Sequence, residues 1–415
     1  MAAVFTKVFI AVVLLTFFLR LWLALRHSRH ILAHRDSVPQ AFAADMPLEE
    51  HQRAADYTRA KIRLNIFSGS LDLLLTLMLT LGGGFNLLWS LAGLLSQHPI
   101  WQGTAFIAIS LMLTSLISLP LSLYATFVIE ARFGFNKMTL GLFLLDGLKG
   151  VLVGAIVGLP LIALAIWLMM AAGQNWWLWL WLVWMTFSLS LLVIYPSVIA
   201  PLFNRFSPLA DEALKQRIEQ LLQRTGFRSQ GVFVMDGSRR SSHGNAYFTG
   251  FGSAKRIVFF DTLIEQLSPA EIEAVLAHEL GHFKLRHVIK RITTTFLLSL
   301  VSLWLLGQLV DAAWFYQGLG LASQGPAQAL LLFFMVLPVF TFPLTPLMNR
   351  MSRRHEYQAD DFAASQTDAR DLISALVKMY RDNASTLTPD PLHSAFYDSH
   401  PPAALRIAHL KGEHA

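Results

Sequence analysis

Seven apolar stretches, each long enough to cross a lipid bilayer, recur along this 415-residue chain and leave it few ways to fold. Hydrocarbon offers backbone amides no partner, so each stretch of about 20 apolar residues must satisfy its own hydrogen bonds as a helix. Such helices are expected at Met1–Leu25, Leu64–Leu95, Thr104–Val128, Leu148–Ala171, Trp177–Phe203, Ile292–Val310 and Gln328–Met348. A cleaved signal is the alternative for Met1–Leu25, but no small-x-small site closes it, so it reads as a span. Only 14% of the residues are charged, where soluble domains carry about 25%. Polar residues gather instead into three blocks: Arg26–Arg63, Asn204–Arg291 and the tail beyond Asn349.

The basic residues orient these helices. Arg26, Arg29, Arg35, Arg53, Arg59, Lys61 and Arg63 crowd the first connection, and Arg132, Lys137 and Lys149 the third. The alternate connections, Ser96–Gly103, Ala172–Trp176 and Ala312–Ala327, hold neither Lys nor Arg. By the positive-inside rule the N-terminus lies outside, and the middle polar block and the C-terminus face the cytoplasm. No run of alternating basic and aromatic residues suggests nucleic acid. The chain has no cysteine, which removes disulfides, thiolate metal sites and cysteine nucleophiles.

Within the middle block the period changes. Ala210–Arg224 sets Leu214, Ile218, Leu221 and Leu222 on one side and charges opposite, the pattern of an amphipathic helix. Gly231–Met235 and Arg256–Phe260 are short β-branched and aromatic runs that read as strands, with Gly244–Gly250 as a third. Ser268-Pro269-Ala270-Glu271 is then a capping box with proline at the first helical position. The helix it opens carries His278-Glu279-Leu280-Gly281-His282. Residues four apart share a helix face, so both imidazoles can hold one Zn²⁺ with Glu279 beside them as a base. A third ligand is needed, and Glu356 offers it beyond the last span. Asp360, one turn on, can fix the tautomer of a ligating His. Three protein ligands leave a fourth position open, which suits metal-assisted hydrolysis with Glu279 taking the proton of the attacking water.

Other residues invite plainer readings. His287 lies five beyond His282, which turns it off the metal face of a continuous helix, and it reads as structural. His27, His30 and His34 recur at helical spacing and read as interfacial histidines. Trp176, Trp177, Trp179, Trp181 and Trp184 read as an interfacial belt. Asp72, Asp146 and Asp311 lie within or at the ends of spans, where they either line a watery cavity or mark helix ends.

Several separated signatures fall in one order along the chain: Phe133-Gly134-Phe135-Asn136-Lys137 with Thr139, Ser241–Phe248, His278–His282, Ser352-Arg353-Arg354 ahead of Glu356–Asp360, and Ser399-His400-Pro401-Pro402. On these the chain resembles, over nearly its whole length, the type I CaaX prenyl proteases, seven-span zinc metallopeptidases of the endoplasmic reticulum, and their bacterial relatives. The resemblance implies a gluzincin site with zinc on His278, His282 and Glu356, and Glu279 as general base. It implies that Asn245 and its strand, with Ala246 and Tyr247, align the peptide, and that His400 and Arg406 contact the reacting carbonyl. It also implies a large water-filled chamber. Leu267–Glu271 lacks the long charged insertion of eukaryotic members, which points to a bacterial inner membrane, the endoplasmic reticulum being the alternative.

The expected fold is mainly α: seven transmembrane helices enclosing a chamber, with a cytoplasm-side α+β zincin-like peptidase domain. Residues 1–204 would supply five spans. Residues 205–415 would form the peptidase domain, including the spans near 292–310 and 328–348. The expected function is a zinc metalloendopeptidase with one Zn²⁺ per chain, its partners being the bilayer and a peptide or protein substrate, lipidated or not. Two other readings stay open. A heat-shock-type quality-control protease shares the zinc motifs but has about four spans. A chamber or transport protein would hold its zinc structurally, which an open fourth position argues against.

Overall fold

The computed structural model describes residues 1–249 and 255–413. Gly250, the end of the expected third strand, lies outside the described residues, as does His414. Among the described residues, seven helical columns are long and apolar enough to cross a membrane. The first is α1 (Ala2–Ala33). The second, α2 (Leu48–Leu79), corrects the expected span Leu64–Leu95: it begins well before Leu64 and ends at Leu79, and α3 (Gly84–Leu95) is a separate helix. The break is glycine's doing. Gly83 has φ +78°, and a Cβ on Gly82 would lie 2.7 Å from the Met78 carbonyl oxygen, so a chain with side chains here could not turn.

The third and fifth spans end in π turns. α4 (Pro99–Tyr124) runs on through Ala125–Glu130. α5 (Leu140–Ala171) follows, then α6 (Trp176–Ile194), which passes through Tyr195–Ile199 into α7 (Ala200–Phe203). Next comes the polar block: β1 (Phe206–Pro208), α8 (Glu212–Thr225), β2 (Val232–Met235), β3 (Ala246–Thr249), β4 (Arg256–Phe260), α9 (Asp261–Gln266) and α10 (Pro269–Lys284). The sixth span is α11 (His287–Leu309), followed by the short α12 (Ala313–Gly318). The seventh, α13 (Pro326–Thr341), bends at Phe342–Leu344 and continues as α14 (Thr345–Gln366). The helix bearing Glu356 and Asp360 is therefore the extension of the last span. α15 (Ala369–Asp382), α16 (Pro391–Tyr397) and α17 (Ala403–Leu410) complete the chain.

The spans pack at one end and part at the other. Their main buried cluster joins Phe9 and Val13 of α1, Phe106 of α4, Ile166 of α5, Leu180 of α6, Leu306 of α11 and Phe333 of α13, with Phe85 of α3 and Phe315 of α12. All lie in the half away from the polar block. In the other halves of α4, α5 and α6 the described residues are half-buried or exposed. The buried core of the bundle therefore sits in the half away from the polar block. Asp72 lines a cavity of about 520 Å³ between α1 and α2, together with Arg20 and Asn65. Asp146 pairs at 2.8 Å with Arg240 of the polar block, and Asp311 is a helix-end residue exposed just past α11. The tryptophan belt is only partly that. Trp176 is buried, Trp181 donates to the Phe296 carbonyl at 2.9 Å, and Trp177 packs on Gly307, while Trp179 and Trp184 face outward.

Among the described residues four strands run in the order β1-β2-β4-β3, with only β2 and β4 parallel. β1, a short segment holding Pro208, carries no strand signal in its sequence. Ala246 and Phe248 of β3 share a face with Ile257 and Phe259 of β4, and that face packs on α8 and α10. The opposite face, with Tyr247, Phe233 and Val258, borders a hollow of about 550 Å³ beside Pro196 and Pro201. Among the described residues β3 pairs only with β4, so its outer edge is free.

Candidate metal centre

α10 begins where the sequence places it. Ser268 Oγ accepts from the Glu271 amide, and Glu271 Oε2 accepts from the Ser268 amide at 2.7 Å. Glu271 also accepts from Ser374 at 2.6 Å and Lys378 at 2.8 Å, which ties the start of α10 to α15. From Glu271 to Gly281 every residue of α10 except Glu279 is buried. The helix is a core element with one face kept for chemistry.

α14 crosses α10 at its closest approach beside the second histidine. A Cβ on Gly281 would sit 3.0 Å from the Ala359 Cα and 3.2 Å from the Phe362 Cβ. A side chain at 281 would crowd that crossing, which glycine admits without displacement, and the crossing sets Glu356 opposite His278 and His282. Two donors about 2.0–2.1 Å from one ion at a tetrahedral angle stand about 3.3–3.4 Å apart. Here His278 Nε2 and His282 Nε2 are 3.3 Å apart, and each lies 3.4 Å from an oxygen of Glu356. Glu356 Oε2 is buried with no hydrogen-bond partner among the described residues. A buried carboxylate oxygen left unpaired is costly, and a cation at the centre of this set would satisfy it. These three are also the one group among the described residues arranged to hold a metal. His27, His30 and His34 do not form another: His27 is buried, stacks on His393 and accepts from the Asp390 amide.

Asp360 stands behind His278. Its Oδ1 accepts from His278 Nδ1 at 2.8 Å, which leaves Nε2 bare toward the metal position. Burial pulls the His278 pKa down, but the neighbouring carboxylates of Asp360 and Glu356 outweigh it and raise it above its ordinary value; a cation at this position would take the place of the Nε2 proton. Burial and neighbouring His278 hold His282 down at about 4, so its ring is neutral. Although Glu279 is partly exposed, the loss of water around its carboxyl within the site pushes it above its ordinary value.

Arg406 is placed differently from what the resemblance implied. Its guanidinium is buried behind His278, with Nε donating to Asp360 Oδ2 at 2.8 Å and a second nitrogen to Oδ1, and it does not face the open side. His400 does face it: its side chain is exposed, with Nε2 3.5 Å from Glu356 Oε1. His287, expected off the metal face, is buried with its Nδ1 3.1 Å from His282 Nδ1. The expectation assumed one continuous helix; α10 ends at Lys284 and the chain turns before α11.

Asn245 leads into β3, its carbonyl accepting from the Phe260 amide at 2.9 Å. Phe248 meets Phe283, the residue after His282, edge-to-face at 5.1 Å, which lays β3 along the end of α10. The approach to β3 is fastened to the membrane helices by contacts no spacing rule reveals. Ser242 N donates to the Phe135 carbonyl at 3.1 Å, and the His243 ring stacks on Phe135 at 4.3 Å. Glu130, at the end of the third span, lies 3.5 Å from His243 Nε2 and accepts from the Tyr57 hydroxyl. Phe133–Lys137 and Ser241–Phe248 were legible as motifs, but not as two halves of one joint.

Comparison with known proteins follows the same division. Residues 27–205 match the family model described as CAAX prenyl protease N-terminal, five membrane helices, and residues 208–414 match that of peptidase family M48. The CAAX prenyl protease 1 homolog of Homo sapiens is 32% identical over 98% of this chain and 95% of its own. CAAX prenyl protease 1 of Saccharomyces cerevisiae is 34% identical over 90% and 88%. The crystal structure of S. mikatae Ste24p superimposes with TM-score 0.91 at 31% identity, covering 98% of each chain. These relatives are eukaryotic, and the bacterial source suggested by the short Leu267–Glu271 segment is not borne out.

Proposed function

The chain belongs to peptidase family M48 and carries its CAAX prenyl protease N-terminal membrane domain, and on that premise we propose that its metal is one zinc ion held by His278, His282 and Glu356. It is a multi-pass membrane metalloendopeptidase of the CAAX prenyl protease type. The observation that carries the zinc reading is that the two Nε2 atoms stand 3.3 Å apart and each lies 3.4 Å from one or other oxygen of the Glu356 carboxylate. Zinc bound there would polarise the scissile carbonyl and acidify a water. Glu279 accepts the proton of the attacking water and returns it to the leaving nitrogen. Asp360 keeps the proton of His278 on Nδ1. Arg406 acts through Asp360, since a carboxylate with 0% exposure is held there only by a paired cation. His400, on the open side, donates to the carbonyl oxygen as charge develops. The substrate backbone adds to the free edge of β3 at Asn245, Ala246 and Tyr247. Residues 1–204 form the membrane domain and 205–415 the peptidase domain.

The test is metal analysis of the purified protein with casein or peptide cleavage before and after chelation. One zinc per chain, and activity lost on chelation and restored by Zn²⁺, is the expected result. Cleavage that survives removal of the metal would end this reading. Comparing prenylated and unprenylated copies of one peptide then shows whether the lipid contributes to recognition.

His400→Ala should lower kcat by roughly 10²–10³-fold with zinc content unchanged. A variant turning over at the parental rate would take His400 out of the mechanism. The site faces the cytoplasm, and because the chain has no cysteine, single introduced cysteines report topology cleanly. Labels within Ala172–Trp176 or Ala312–Ala327 should react from outside only, and labels within Arg26–Arg63 from the cytoplasm only. The reverse pattern would invert the protein.

A further inference from the structure

The two ligand histidines are supported in different ways. His278 rests on a charged pair, Asp360 and Arg406. Support for His282 comes from beyond the end of its own helix. Arg286, which starts the next helix, has φ +57°, a left-handed conformation that residues with a Cβ rarely adopt. The turn it makes brings His287 back across the end of α10, to 3.1 Å from His282 Nδ1. On its far side, His287 Nε2 lies 2.9 Å from Gln358 Oε1. His355, three residues before Gln358 and on the same face of α14, stacks on the His287 ring at 4.1 Å.

One proton assignment satisfies this chain. Gln358 Oε1 can only accept, so His287 carries its hydrogen on Nε2. Its bare Nδ1 then accepts from His282 Nδ1–H, and the lone pair of His282 Nε2 is left for the metal. We propose that His287 and Gln358 are positioning residues, a neutral relay that fixes the tautomer and ring orientation of His282. The inference rests on the metal reading above. The support behind His278 is an ion pair, Asp360 with Arg406, whereas this relay orients His282 with neutral groups alone.

The test uses the full-length protein and follows metal loss to a chelator and the visible absorption of the Co²⁺-substituted form. Gln358 is exposed, so Gln358→Leu should fold; His287→Phe keeps a ring to stack on His355. Each should weaken metal binding by about 10- to 100-fold, the usual cost of losing a partner behind a ligand, and shift the Co²⁺ bands. The double variant should be no worse than His287→Phe alone, because both act through one chain. Gln358→Glu keeps an acceptor and should bind at least as tightly as the parent. Asp360→Asn is the reference. If the parent holds no metal, the metal reading itself fails. If Asp360→Asn weakens binding while both relay variants match the parent in metal loss and spectrum, or if their effects add, the relay is wrong.

Discussion

Glu279→Gln should keep its metal and its fold and lose turnover by about 10²–10⁴-fold, the range a positioned proton carrier supplies. The residue lies between the two ligand histidines and is the one residue from Glu271 to Gly281 that is not buried in the helix packing. Glutamine has nearly the same volume and keeps α10 seated, so the loss reports chemistry and not collapse. An amide cannot take the water's proton. Single-turnover cleavage alongside metal content is the decisive pair of measurements: full metal with activity within a few-fold of the parent would place the base elsewhere.

Glu356→Ala should lose the metal itself. Glu356 is the single carboxylate among the three donors, and its Oε2 has no other partner among the described residues. Without it two imidazoles remain, too few for a site that normally takes three protein ligands. The loss in affinity should exceed the roughly 100-fold ceiling typical of partners behind a ligand, and activity should vanish with it. The fold should survive, because α14 is held by Ala359, Ala363 and the Asp360–Arg406 pair, all buried. Stoichiometric metal with parental affinity would show that another group completes the site, and His400, 3.5 Å away, would be the first to try.

Much of this was readable residue by residue. Span positions follow from apolar length, because hydrocarbon forces a local solution on every backbone amide. The start of α10 follows from Ser268 and Glu271, and the pairing of His278 with His282 from helical periodicity. An error arose where a local rule was carried past a break. Leu64–Leu95 is apolar on average across its whole length, and hydropathy does not register that Gly82 and Gly83 break the helix. His287 does stay off the metal position, as its spacing predicts, but it is placed there by the turn after Lys284 and not by the phase of α10.

What the chain alone determined is whatever a single helix or strand settles within itself: which segments enter the bilayer, which two histidines share a face, which carboxylate stands beside them. Those properties depend on neighbours a few residues apart, and the sequence states them directly. Tertiary structure decided how far those faces are from one another. Glu356 meets the histidines because Gly281 and Ala359 let two helices cross almost backbone to backbone. Arg406, expected at the substrate carbonyl, lies against Asp360 because α17 packs behind His278. His287 and Gln358 reached His282 from two other helices. Side chains reach only a few ångströms, so which of them touch is settled by the packing of helices far apart in sequence, and no spacing along the chain records it.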